Sequence, residues 1–242
     1  MKISIIGLGW FGSALAEILS SEHEVSGTTR SLFKASHFSS KISVETLDVT
    51  NVPSKNLLKS DVIVLNIPPF SDQLEWFRTW EWNNNSHLIF ISSTSVYGDL
   101  KGILTEESKT SPTTQNAKIL IEEEKWVKMF PHYTIIRFGG LIGKDRHPGK
   151  HLSGKTNLAQ GNSFVNLIHL DDCIGFTKLV LEEKLVSETF NLVSPNHPTR
   201  KVYYTDYCFK NNLPLPEFLD SEDSGKIISH KKVSKFYQFR NA

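Results

Sequence analysis

The stretch Lys2-Ile3-Ser4-Ile5-Ile6-Gly7-Leu8-Gly9-Trp10-Phe11-Gly12 decides the fold. Its first five residues, rich in Ile and followed at once by glycine, read as a buried strand. Residues 11–20 (FGSALAEILS) carry apolar positions at helical spacing and read as a helix. Between them, Gly7, Gly9 and Gly12 form G-x-G-x-x-G in the strand–turn–helix setting that a dinucleotide site requires. The first glycine permits the tight turn, the second lets backbone approach a pyrophosphate, and the third allows close helix–strand packing. The helix N-terminus then stabilises phosphate charge. Trp10 and Phe11 lie inside this loop and count with the three glycines as candidate cofactor contacts. The competing reading is a glycine turn that serves helix packing alone.

Working outward, residues 24–28, 43–47, 61–66, 87–92, 133–137 and 188–193 also read as strands. Residues 72–82, 115–130 and 171–183 read as helices. This alternation predicts an α/β protein: a Rossmann-type doubly wound parallel sheet with a small C-terminal substrate lobe. Residues 1–143 form the expected NAD(P)-binding Rossmann domain. Residues 144–242 form the expected lobe, interleaved with the last Rossmann elements at 165–193. From Lys144 to Asn162 the chain is rich in Gly, Lys, His and Asn, and Asn191–Pro216 is punctuated by proline, so neither stretch reads as core.

Bulk properties exclude several classes. Of 242 residues, 39% are hydrophobic and 22% charged, which suits a globular domain. The net charge of +1 gives no broad field toward nucleic acid or an anionic membrane. No apolar run approaches the roughly 20 residues needed to span a bilayer, and the N-terminal stretch lacks a signal-peptide core. The expected setting is therefore the cytoplasm. Cys173 and Cys208 are far apart and without metal-ligand spacing, so they read as free thiols and no metal is expected. Asn84-Asn85-Ser86 fits a glycosylation sequon but reads as a polar turn.

Cofactor preference is written at the end of the second strand, Gly27-Thr28-Thr29-Arg30. An NAD-selective site places a carboxylate there for the ribose 2′-hydroxyl. Here Thr29 and Arg30 offer a hydroxyl and a forked guanidinium, which suits a 2′-phosphate and favours NADP(H), with NAD(H) as the alternative. A solvated surface arginine is the bland reading. Asp48, after the third strand, suits an adenine amino group or a helix cap.

The motifs, taken in order, resemble the extended short-chain dehydrogenase/reductase superfamily, in an atypical subgroup of its NAD(P)-dependent epimerase/dehydratase-like proteins. The glycine loop and Asp48 match. Asn66-Ile67-Pro68-Pro69 matches the loop beneath the adenosine, which adds Asn66 and Pro68 to the implied cofactor contacts. Ile91–Gly98 matches the serine-bearing fifth strand, and Arg137–Gly143 the strand leading into the substrate lobe. Asn166–Asp172 resembles the histidine- and aspartate-bearing segment before a helix, and Asn191-Leu192-Val193 the later asparagine strand. Residues 225–236 resemble the closing helix.

The resemblance implies hydride transfer, or redox-assisted epimerisation or dehydration. It assigns Ser93 to the family serine and Lys118 to the lysine that holds the nicotinamide ribose. Four residues before Lys118, where the family has tyrosine, stands Thr114. An aliphatic hydroxyl is far less acidic than a phenol, so Thr114 is a poor general acid or base. Tyr97, Glu106, Glu107 and His169 are the alternatives, each with a structural reading beside the catalytic one. Ser93 lies in no G-x-S-x-G elbow, so a Ser-His-Asp hydrolase is unsupported. Trp76, Trp80 and Trp82 read as core or interface packing, and the family implies a homodimer through 72–82 and 115–130. Three functions follow: an NADP(H)-dependent epimerase, dehydratase or reductase on a small polar or nucleotide-linked substrate; a dinucleotide sensor that has lost turnover; or a structural subunit stabilised by nucleotide.

Overall fold

A computed structural model of the chain describes residues 1–31, 38–220 and 225–241. A seven-stranded sheet runs through β1 (Lys2–Ile6), β2 (Glu24–Thr29), β3 (Ile42–Thr46), β4 (Val62–Leu65), β5 (His87–Ser93), β7 (Tyr133–Phe138) and β10 (Glu188–Leu192). Its order is β10-β7-β5-β4-β1-β2-β3, and β1 pairs in parallel with both β2 and β4. The β2–β3 and β4–β5 pairs are parallel as well. The chain leaves β1 toward β2 and β3, then returns to place β4 on the other side of β1. Strand order therefore reverses between β1 and β4, and open α/β sheets bind ligands at such a switch point.

The Ile- and Val-rich strands are central because both their faces are covered. Ile3, Ile5, Ile6, Val62, Ile63, Val64, Leu65, Leu88, Ile89 and Phe90 are all buried. Burying each such side chain contributes about 1.5–3 kcal/mol. Helix α1 (Trp10–Leu19) covers part of this core with Phe11, Leu15, Ala16 and Leu19. After a four-residue helix α2 (Lys55–Leu58) comes α3 (Gln73–Arg78), shorter than the expected 72–82. The reason is local: the Thr79 hydroxyl and the Trp82 indole N–H donate to the carbonyls of Trp76 and Phe77, which ends the helix. The tryptophans then join Phe77, Trp126 and Phe130 in one continuous aromatic cluster.

Helix α4 (Gln115–Val127) is tied to the sheet by a buried ion pair. Arg137 Nε and Nη2 donate to the two carboxylate oxygens of Glu124 at 2.9 and 2.6 Å, and the Ser92 hydroxyl donates to Glu124 Oε1 at 2.6 Å. Both charged side chains are buried, so removing one partner alone would cost about 3–5 kcal/mol. Nearby, the Thr134 hydroxyl donates to the Leu185 carbonyl, so at 2.7 Å it must accept from His87 Nε2–H. Burial holds the His87 pKa down at about 4, which keeps that imidazole neutral.

Contacts divide the chain into two compact units: residues 1–93, 114–137 and 174–190 form the first, and 94–113, 138–173 and 191 onward form the second. The second unit begins with a 3₁₀ turn, Thr94–Tyr97. It contains β6 (Gly102–Leu104), β8 (Gly140–Ile142), α5 (Gly149–Leu152) and β9 (Leu167–His169), then the start of α6 (Leu170–Glu182). After these come α7 (Arg200–Lys210), β11 (Lys226–Ile228) and a 3₁₀ turn, Val233–Lys235. Strand β8 pairs with β9, and β6 with β11. Helix α7 went unread within the proline-punctuated region, although Thr199 caps it by accepting from Val202 N–H and Tyr204 and Cys208 form its buried face. The expected helix at 225–236 is a strand and a 3₁₀ turn instead. The Asn166 side chain donates to the Lys226 carbonyl at 3.0 Å and accepts from Ile228 N–H at 2.7 Å, acting as a partner strand would.

On α4, Glu123 is 0% exposed, and neither carboxylate oxygen has a hydrogen-bond partner among the described residues. Burial raises its pKa to about 8, well above its unfolded value. Stability from this group is full below the unfolded pKa and is lost as pH rises toward 8, because only the unfolded chain ionises freely. Glu123→Gln should therefore gain on the parent as pH rises from 5 to 8, by up to about 1.4 kcal/mol per unit. Urea unfolding at the two pH values measures this, and a pH-independent difference would contradict it.

Candidate functional site

At the β1–β4 switch point the glycine loop is gripped from both sides. Gly7 N–H donates to the Thr28 hydroxyl at 3.0 Å, and Leu8 N–H to the Thr28 carbonyl at 2.7 Å. From β4, the Asn66 side-chain amide donates to the Gly7 carbonyl at 2.9 Å. Gly7 adopts φ +107°, and a Cβ there would lie 2.2 Å from the Asn66 carbonyl oxygen. A Cβ on Gly12 would lie 2.3 Å from the Gly7 carbonyl oxygen. Packing thus explains these two glycines.

Gly9 is different. Its φ is −83°, which any residue adopts, and a Cβ there would meet nothing within 4 Å. Neither backbone nor packing demands glycine, so the open space above it is what glycine preserves. Gly9 also caps α1 without a side-chain hydrogen bond, and the first turn carries no acidic residue. The N-terminus of a ten-residue helix, with its positive dipole end, therefore receives no capping side chain from its N-cap residue. An anionic diphosphate suits this cradle. Trp10 and Phe11 open that helix, Phe11 buried under it and Trp10 half-buried.

At the end of β2, Thr28 and Thr29 are buried and Arg30 is exposed. Thr28 escaped the sequence reading: its hydroxyl holds the loop, whereas the neighbouring Thr29 carbonyl pairs with Leu47 N–H. Asp48 is exposed beyond β3. Its Oδ1 accepts from the Thr50 N–H at 2.8 Å and the Thr50 hydroxyl at 2.5 Å, and these bonds hold its pKa below the usual carboxylate value. Pro68 is exposed in the loop after β4, two residues past Asn66.

Ser93 closes β5 and is half-buried, while Lys118 is exposed in α4. Thr114 stands outside that helix as its N-cap, with its hydroxyl accepting from Ala117 N–H at 3.2 Å. A hydroxyl used in this way is a structural device.

The second unit places three of the alternative proton donors, Tyr97, Glu106 and His169, in defined hydrogen bonds. Tyr97 is 0% exposed, and its hydroxyl lies 2.8 Å from the Thr105 carbonyl and 2.9 Å from the Asn191 side-chain amide. Glu106 accepts from Asn191 N–H at 2.8 Å, and burial raises its pKa. His169 Nδ1 accepts from Asp171 N–H at 3.2 Å, so it caps the start of α6. No group of three or more His, Cys, Asp or Glu among the described residues could hold a metal ion.

Protein YeeZ of Escherichia coli (strain K12) is 34% identical to this chain over 254 residues, which covers 96% of the chain and 92% of YeeZ. The chain belongs to the YeeZ family. Residues 2–94 also match the family model described as NADP oxidoreductase, coenzyme F420-dependent. The epimerase family protein YfhF of Bacillus subtilis (strain 168) is 26% identical over 155 residues, or 58% of this chain and 51% of YfhF. UDP-glucuronic acid 4-epimerase from Bacillus cereus, solved with NAD, shares the fold at TM-score 0.78 and 20% identity, covering 98% of this chain and 90% of that one. A conserved protein of unknown function from Silicibacter pomeroyi DSS does so at TM-score 0.80 and 15% identity, covering 97% and 91%. The chain thus has the Rossmann-like α/β fold of these epimerase/dehydratase structures, as its motifs implied. No helix among the described residues is long and apolar enough to cross a membrane.

If Thr28 holds the loop as described, Thr28→Val, close to Thr in volume, should strand the Gly7 N–H and cost about 1–3 kcal/mol. Thr28→Ser should recover most of it. Urea unfolding decides, and a valine variant as stable as the parent would contradict the assignment.

Proposed function

We propose that this chain binds NADP(H) on the Gly7–Gly12 loop and acts as an oxidoreductase or epimerase on a small polar or nucleotide-linked substrate. The observation that carries this reading is the open face of Gly9, which begins α1 without a capping side chain at the switch point of the sheet. Pyrophosphate oxygens would take the α1 amides, and Asn66 would keep the loop in register for them. Arg30 would take a 2′-phosphate through its guanidinium fork, and Asp48, with Oδ2 still open, the adenine amino group. Pro68 would line the adenosine side, and Trp10, Phe11 and Thr29 would complete the wall.

NADP(H) supplies the hydride or accepts it. Lys118 would hold the nicotinamide ribose and Ser93 would orient the substrate oxygen. Thr114 takes the place of the family tyrosine, so the proton must come from another group. The nucleotide-linked class is supported by the UDP-glucuronic acid found with a neighbour of the same fold. A second reading, a dinucleotide sensor without turnover, is favoured by Thr114 being used as a helix cap and Tyr97 being buried.

Titrating the protein with NADPH and NADH by calorimetry, alongside Arg30→Ala, tests the cofactor assignment. NADPH should bind more tightly by roughly 10- to 100-fold, as a charged hydrogen-bonded contact of about 1.5–3 kcal/mol implies, and the variant should lose that preference. Binding of neither cofactor would overturn both readings. NADPH consumption across a carbonyl panel then separates enzyme from sensor.

A further inference from the structure

We propose that residues 229–241 form a strap of the second unit that docks at neutral pH and comes loose in mild acid, anchored by Asp172 and sensed by His197 and His230. This goes beyond the cofactor reading and does not depend on it.

The anchor is one buried carboxylate. Asp172, in the first turn of α6, is 0% exposed. Its Oδ1 accepts from the Tyr237 hydroxyl at 3.1 Å and from Arg240 N–H at 2.7 Å. Its Oδ2 accepts from Asn241 N–H at 3.1 Å and from the Asn241 side-chain amide at 3.4 Å. All four donors come from a segment at least 65 residues further along the chain. The carboxylate also sits at the positive dipole end of α6.

The sensor is a pair of rings at the strap's other end. His197 Nδ1 lies 3.1 Å from the Val165 carbonyl, which can only accept, so Nδ1 carries the proton and Nε2 keeps its lone pair. That Nε2 and the Nδ1 of His230 are both buried without a partner among the described residues. The two rings stack at 6.2 Å and 29°, and Phe239 stands edge-on to His230 at 6.2 Å and 87°. A proton added to either bare nitrogen would be an N–H cation with no acceptor. Among the described residues, His197 faces the Val165 carbonyl and the second ring, and His230 faces His197, Lys231 and Phe239, with no carboxylate among these neighbours.

Burial lowers both histidine pKa values, with His197 and Lys231 adding to the effect at His230. The docked state therefore binds fewer protons than the released one. Docking is fully favoured above the unfolded histidine value of about 6.5 and weakens as pH falls below it. Pro195 and residues 234–239 line a groove of about 490 Å³, so release of the strap also removes that groove.

Hydrogen exchange of the full chain, expressed as protection factors at pH 7.5 and 5.5, tests the strap. In the parent, protection of residues 236–241 should fall at least tenfold at pH 5.5 while β1 and β5 stay protected. His230→Phe keeps the ring and removes one of the two ionisable groups, and should make the pH-dependent loss of strap protection at least threefold smaller than in the parent. Asp172→Asn should lose strap protection at both. If His230→Phe lowers β1 protection at pH 7.5, His230→Gln replaces it in the comparison. Equal parent protection at both pH values, a loss that spreads to β1 and β5, or a His230 variant that behaves as the parent would overturn the proposal.

Discussion

The contact between Asn66 and Gly7 is the constraint on which the rest of the nucleotide site depends. It joins the ends of β4 and β1, the two strands between which the sheet order reverses, with the Asn66 side-chain amide donating to a Gly7 whose own position leaves no room for a Cβ. With Gly7 held by Asn66 on one side and Thr28 on the other, the loop has one course into α1. That course puts Gly9, which has no side chain to cap α1, at the helix start and leaves the space over it open. The buried Glu124–Arg137 pair secures α4, the helix that presents Lys118, to the same sheet.

Most of the first unit was legible because its signals are local and periodic. KISII, VIVL and HLIFIS are strands buried on both faces, and FGSALAEILS alternates as a helix does, so these elements fall where apolar periodicity puts them. The role of Thr28 was not legible. Its neighbours Thr29 and Arg30 drew the reading as ribose contacts, and nothing in the sequence says that a hydroxyl at 28 meets an amide at 7. The length of α3 was hidden for a related reason. Its end is set by side chains of Thr79 and Trp82 folding back on carbonyls, whereas apolar spacing continues past them.

In the second unit the balance shifts, because long-range hydrogen bonds to single side chains replace periodicity. Asn166 holds the free side of residues 226–228, which pair with β6, and Asp172 gathers residues 237–241. Both aspartate and asparagine were visible as members of a motif, yet their partners lie 60 or more residues away. Helix α7 was missed where prolines at 195, 198, 214 and 216 suggested irregular chain, although Thr199 and the Tyr204–Cys208 spacing carry its cap and its buried face. Thr114 has a physical account too: its hydroxyl caps α4 by accepting from Ala117 N–H, a role that threonine suits well.

The central claim is that glycine at position 9 serves a ligand and nothing else. Gly9→Val adds a Cβ where no described atom beyond the neighbouring residues lies within 4 Å, at a φ of −83° that residues other than glycine adopt. Calorimetric titration of this variant with NADPH, alongside its thermal melt, is the most direct measurement. The account predicts an unchanged melting temperature together with loss of NADPH binding. A variant that binds NADPH as the parent does would contradict it.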